Sequence, residues 1–275
     1  MYTANEIELG TSAAAVRQAW HSALRGEQRE AEHTIIGVPF ETPHALHSML
    51  LEGEGASVVP DFADGQRLFK IRAADSRGHR SAASILINRM YATRGYTSTG
   101  LPTQGTPHRV TLTASEHDET IGTITVGFDS IEGLHVDELF REEVDSLRQR
   151  GRRVSEFTKL AMDSVVKSKR VLASLFHVAY IYAHRVKGYQ DLAIEVNPRH
   201  VRYYERMLGF KIRGTEKLNP RVNAPAVLMV LDFAHAHAQI ARFGGRQHLA
   251  AHERSLYPYF FSVGEEAGIV GRLRL

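Results

Sequence analysis

From Gln66 onward the apolar positions fall into short blocks that alternate with period two or recur with helical period, separated by glycine, proline and polar turns. Leu68, Lys70 and the alternation through Ile71 predict a strand, followed by a helix from about Ser81 to Arg94 that ends at Gly95. Val110 to Ala114 and Ile121 to Phe128 are β-rich runs joined by the polar turn Ser115-Glu116-His117-Asp118-Glu119, and they predict a hairpin. Glu138 to Gln149 predicts a charged amphipathic helix stopped by Gly151. Arg152 to Met162 then predicts a strand with Val154, Glu156, Thr158 and Leu160 on one face.

The segment Val171 to Val186 is apolar on most sides, which suits a helix buried against a sheet, and Leu192 to Val196 predicts the next strand. Asn197-Pro198 opens a helix with an N-cap residue followed by proline, and Gly209 closes it. Phe210 to Gly214 and Val227 to Leu231 predict the last two strands. This order implies an α/β fold in which a mixed sheet carries helices on both faces, and not a doubly wound nucleotide-binding sheet.

The flanks differ in texture. Residues 1–65 read as an N-terminal extension, partly helical or disordered, with an amphipathic stretch at Ser12 to Leu24 and a helical patch at His44 to Leu51. Residues 66–235 read as the core, and 236–275 as a C-terminal helix followed by the aromatic run Leu256 to Phe261, expected to pack on that core because exposed aromatics are costly.

Composition narrows the chemistry. The 275 residues include 43% hydrophobic and 24% charged, ordinary for a globular enzyme-sized domain. With no cysteine, disulfides, thiolate metal sites and a cysteine nucleophile are excluded. The first residues lack a basic start followed by an apolar run, and no apolar run approaches a membrane span of about 18 residues, so a cytoplasmic location is expected. A net charge of +3 is compatible with an acidic partner. The 15 histidines include pairs at His44 and His47, His235 and His237, and His248 and His252, but none has a complete ligand set, so no metal is expected.

Asn197-Pro198-Arg199-His200 running to Tyr203-Tyr204 and on to Gly209-Phe210 is similar to the penultimate element of the GNAT superfamily of acyl-CoA N-acyltransferases. In this form, with Val222 to Ala226 before the last strand, it resembles the bacterial N-acyl-amino-acid synthases, which share a GNAT-like, mostly antiparallel mixed sheet and are related to the acyl-homoserine-lactone synthases. The resemblance spans about residues 66–235. Asn88 to Tyr91 with Arg94 to Tyr96 looks like the Arg and aromatic residues of the first helix in these families. Glu156-Phe157-Thr158-Lys159 looks like their strand bearing Glu and then a basic residue, usually Arg in the autoinducer synthases, so Lys159 is a departure. Thr123 and Thr125 also stand where those synthases would place a functional Arg.

The resemblance implies transfer of a long-chain fatty acyl group to the amine of an amino acid. Where acetyltransferases carry a glycine-rich diphosphate loop, Asp163 to Arg170 holds no glycine. Without glycine the backbone closes poorly around a diphosphate, which favours acyl-phosphopantetheine on acyl carrier protein over acyl-CoA as co-substrate, with no tightly bound cofactor. Lys167, Lys169 and Arg170, taken to lie beside Arg148, Arg150, Arg152 and Arg153, are expected to meet the acidic carrier. The backbone at Leu160, Ala161 and Met162 would hold pantetheine and polarise the thioester. A carboxylate suits the base role, with Glu156 first and Glu195 its rival, and Tyr204 is a candidate acid for the leaving sulfur. Arg89, through its planar fork, together with Tyr91, Asn197 and His200, is expected on the acceptor side. An acyl-homoserine-lactone-type synthase and a non-catalytic acyl- or carrier-binding module remain alternatives, and the acceptor's identity stays open.

Overall fold

The computed structural model describes residues 34–40, 67–96, 100–164, 166 and 168–273. The amphipathic stretch at Ser12 to Leu24, the patch at His44 to Leu51 and Lys167 lie outside the described residues. The chain runs β1 (Thr34–Pro39), β2 (Leu68–Ala73), α1 (Arg77–Ala92), β3 (Arg109–Glu116), β4 (Glu119–Phe128), α2 (Asp137–Arg148), β5 (Val154–Met162) and α3 (Lys169–Tyr180). It continues through a π-helical extension (Ile181–Val186), β6 (Asp191–Val196), a 3-10 turn (Pro198–His200), α4 (Val201–Leu208), β7 (Lys211–Ile212), β8 (Lys217–Asn219), β9 (Ala224–Asp232), α5 (Phe233–Phe243) and α6 (Val263–Leu273).

The strands form one sheet in the order β1-β2-β3-β4-β5-β6-β9-β7, with β8 also on β9. The pairing of β5 with β6 is parallel, while the β2–β3, β3–β4, β4–β5, β6–β9, β7–β9 and β8–β9 pairs are antiparallel. β1 falls within the stretch read as a peripheral extension, yet it supplies an edge strand with Val38 buried. The short β8 was not foreseen, because three residues are too few to show a period.

Alternation sets the two faces. Leu112, Ile124, Val126, Phe157 and Ile194 point to one side, where they pack with α3, α5 and the C-terminal segment. Val154, Ala193, Leu228 and Val230 point to the other, against Phe140, Val144 and Leu147 of α2, while Ala161 meets Leu86, Ile87 and Met90 of α1. Helix α3 is apolar all round because it is covered twice: by the sheet, and by the aromatic run, whose Leu256, Tyr257, Phe260 and Phe261 are buried as expected.

Two expectations are corrected. Leu160 does not share a face with Val154, Glu156 and Thr158: a bulge at Lys159 inserts one residue opposite β4, so Leu160 joins the α3 side and Ala161 the α1 side. Nor does the basic run at Arg148 to Arg153 adjoin Lys169 and Arg170. The nine residues of β5, roughly 25 Å of strand, stand between them. Arg148 is moreover bound to Asp129, Asp137 and Asp145 within 2.6 to 2.7 Å, and Arg152 to Asp191 at 2.6 Å. Among the described residues no helix is long and apolar enough to cross a membrane.

Candidate active site

The sheet splits where its two halves meet. β5 and β6 pair only at Val154–Asp191, Ser155–Leu192 and Glu156–Ala193. Beyond that row β5 stays with β4 as far as Met162, while β6 stays with β9 as far as Val196. The bulge bends β5 away: Lys159 holds φ of 50°, a conformation side chains rarely adopt, and is fixed there because Thr123 Oγ1 donates to its carbonyl at 2.8 Å. Its Nζ donates to the carbonyl of Gly100 at 3.0 Å. The result is a wedge with the backbone of Leu160, Ala161 and Met162 along one side, where no ladder to β6 runs. A strand edge of this kind offers amide donors and acceptors to an extended chain such as pantetheine.

On the α1–α2 face the register lines up residues in rows. The first row is Arg109, Gly127, Glu156 and Ala193. Glu156 is fully buried and lies over Gly127, where an added Cβ would come within 2.6 Å of its Cγ. Arg109 Nη1 donates to Oε1 at 2.8 Å and the Val136 amide to Oε2 at 3.1 Å. Burial pushes the carboxyl upward, while Arg109 and the amides of His135 and Val136 pull it back. Since α2 has no side-chain cap of its own, Glu156 serves as the anion at its N-terminus.

The next row is Thr111, Thr125 and Thr158, and the residue two beyond Ala193 on β6 is Glu195. Glu195 Oε2 accepts from Asn219 Nδ2 at 2.7 Å and from Arg221 Nη2 at 2.5 Å. Its carboxyl is also pushed up, first by burial and then by the charges of Glu156 and Glu138, against the pull of Arg221. Arg221 Nη1 donates to the His135 carbonyl at 2.8 Å and pairs with Glu138 at 2.9 Å. The His135 imidazole is pushed down to about 4 by burial and by Arg109, Arg221 and Lys159, so it is neutral at pH 7.

The other predicted residues divide. Tyr204 stands on α4 against Phe176, Tyr203 and Phe210, and burial raises its phenol well above the usual range, with Tyr91 among the groups it feels. Tyr91 packs edge-on against Tyr96, which accepts from Arg199 Nη2 at 3.0 Å, so the end of α1 and the start of α4 meet. Asn197 caps the turn by accepting from the Arg199 amide at 3.2 Å, and His200 is exposed with its Nε2 beside Arg199 Nε at 3.2 Å. Arg89 lies on the surface and pairs with Asp163 at 2.6 Å, just past the end of β5. Lys169 is exposed at the start of α3, with its Nζ over the Tyr259 ring. Arg170 is turned inward instead: it is buried, donates to the carbonyls of Tyr259 and Phe260, and lies over the ring of Phe261. It holds the C-terminal segment and does not line a donor entrance. Arg109, His135, Arg221 and Asn219 were not singled out by sequence, although glycine inside strand β4 is itself a mark of close approach by a neighbour.

The family model for the N-acyl amino acid synthase FeeM matches residues 82–232, which run from α1 to the end of β9 and enclose the whole wedge. The chain belongs to the FeeM N-acyl amino acid synthase family. It is therefore an N-acyltransferase. The structure of FeeM, an N-acyl amino acid synthase from uncultured soil microbes, is similar at 27% identity with a TM-score of 0.55, covering 62% of this chain and 93% of that one. An acyl-CoA N-acyltransferase from Pseudomonas aeruginosa is similar at 14% identity and a TM-score of 0.42, covering 59% of this chain and 97% of that one. The acyl-homoserine-lactone synthase LasI is similar at 10% identity and 0.41, covering 60% and 91%. No curated protein matches the sequence. Thr123 and Lys159, both read from the sequence as standing where the autoinducer synthases carry Arg, are joined to each other here, the threonine hydroxyl donating to the backbone carbonyl of the lysine's bulge.

Proposed function

We propose that the enzyme transfers a long-chain fatty acyl group from the phosphopantetheine thioester of acyl carrier protein to the amino group of an amino acid. The observation that carries this reading is the wedge itself: parallel pairing stops at Glu156 and Ala193, and the edge of β5 from the Lys159 bulge to Met162 is left to an extended thioester arm. Acyl carrier protein is favoured over acyl-CoA because Asp163 to Arg170, which follows that edge, contains no glycine with which to wrap a diphosphate. Amides at the bulge polarise the thioester carbonyl, and holding both substrates in one cleft supplies much of the rate. Tyr204, whose raised pKa keeps its proton, is the proposed acid for the departing sulfur. Tyr91, Asn197 and His200 shape the far wall, and Arg89 braces α1 against Asp163. Incubating the pure enzyme with palmitoyl-carrier protein or palmitoyl-CoA and each amino acid in turn, with mass spectrometry of the products, tests this. An acyl-amino acid formed faster from carrier protein is expected; faster transfer from CoA would reject the donor, and no amide with any amino acid would reject the reaction.

A further inference from the structure

We propose that the acceptor's amino group binds between Thr158 and Glu195 at the mouth of the β5–β6 wedge, and that Glu195, not Glu156, is the base that deprotonates it. The inference rests on the reading of the chain as an amino-acid acyltransferase and deepens it by assigning the acceptor subsite.

Three observations converge. In a parallel pair, stepping two residues along both strands from Glu156 and Ala193 gives Thr158 and Glu195, the first residues on this face beyond the point where the ladder ends. Thr158 Oγ1 and Glu195 Oε1 are both buried, and neither has a hydrogen-bond partner among the described residues. A buried hydroxyl and a buried carboxylate oxygen left unsatisfied on the two sides of one gap are costly alone and complementary to an ammonium, which brings donors only. Glu156, by contrast, is fully buried with both oxygens engaged, one by Arg109 and one by the Val136 amide.

Glu195 is also held as a base should be. Asn219 and Arg221 fix Oε2 and leave Oε1 as the reactive oxygen. The charged groups that act on it are Arg221 from the turn after β8, Glu156 from β5 and Glu138 from α2, and with burial they leave its carboxyl more basic than an ordinary glutamate.

The reaction balances on these groups. The ammonium bound by Thr158 gives one proton to Glu195 Oε1, and its freed lone pair attacks the thioester carbon to form the C–N bond. Collapse of the tetrahedral adduct breaks the C–S bond, Tyr204 gives its proton to the departing thiolate and regains one from the adduct's nitrogen, and Glu195 returns its proton to solvent. The products are the amide, the free pantetheine thiol and one proton.

Glu195→Gln keeps an oxygen for Asn219 and Arg221 but removes the base. It is expected to lower kcat by about 100-fold or more and to raise the acceptor KM as well, since the ammonium loses its counter-charge, and the deficit should shrink as pH rises toward the acceptor amine's own pKa. Thr158→Val, nearly isosteric, is expected to raise the acceptor KM several-fold without changing the thioester KM. Wild-type amide synthesis with Glu195→Gln within twofold of wild type would overturn this assignment alone. A large loss in Glu195→Gln that does not ease with pH, or an unchanged acceptor KM in Thr158→Val, would also overturn it. Absence of amide synthesis by the wild type would instead remove the reaction on which it rests.

Discussion

Gly127 shows how much one missing side chain decides. Its neighbour across the sheet is Glu156, and the carboxylate crosses the glycine's open Cα to reach Arg109 on the third strand, so a methyl group at 127 would sit 2.6 Å from Glu156 Cγ and 2.7 Å from its Oε1. Gly127→Ala should therefore destabilise the fold by about 1–3 kcal/mol through forced repacking, seen as a lower urea midpoint with unchanged slope. A midpoint equal to wild type would mean that Glu156 has another rotamer at no cost. At this scale the sequence was partly legible. Glu156, Glu195 and Tyr204 are chemically distinctive and stand in a recognisable order, whereas Arg109 and His135 carry no local signal and matter only because register and a turn bring them to Glu156.

Among the elements, α3 and the C-terminal segment depend on each other. His177 is fully buried on α3, stacked against Phe260 and Phe261 with ring centroids 4.8 and 5.2 Å away. The Phe261 amide donates to Nδ1 at 2.9 Å, which leaves the ring's proton on Nε2, facing Glu266 Oε2 of α6 at 3.3 Å. Burial drives the imidazole's pKa down, so the ring is neutral, and Glu266 keeps its charge against Arg185 at 2.8 Å. His177→Ala would strand the Phe261 amide, loosen Glu266 and open a cavity; a loss of about 3 kcal/mol is expected, with faster amide exchange in α6. Exchange in α6 that is unaltered would show that the apolar contacts alone hold it. The apolar character of α3 and of the aromatic run was plain from periodicity. That they cover one another was not, because a pattern records that a face is buried and not what buries it.

In the molecule as a whole, charge is divided between the two ends of β5. Two of the arginines before it, Arg148 and Arg152, are consumed by Asp129, Asp137, Asp145 and Asp191, while exposed Lys169 lies at the other end, near where the wedge's strand edge finishes. If an acidic carrier delivers the thioester there, Lys169→Glu should raise the KM for acyl carrier protein several-fold, less so at high salt, and leave the KM for a small acyl-pantetheine thioester unchanged. Equal effects on both donors would place the carrier elsewhere. The sequence by itself determined the succession of the longer strands and helices from β2 onward, the mixed sheet and the family, since hydrophobic period, caps and the Asn197 to Phe210 motif are local properties of the chain. Only the tertiary structure decided that β1 joins the sheet edge, that Arg170 is buried and that Arg148 to Arg153 stand a strand's length from Lys169. It alone also decided that the pairing of β5 with β6 ends at Glu156, because strand register and the direction of a bulge are set by contacts between segments far apart in sequence.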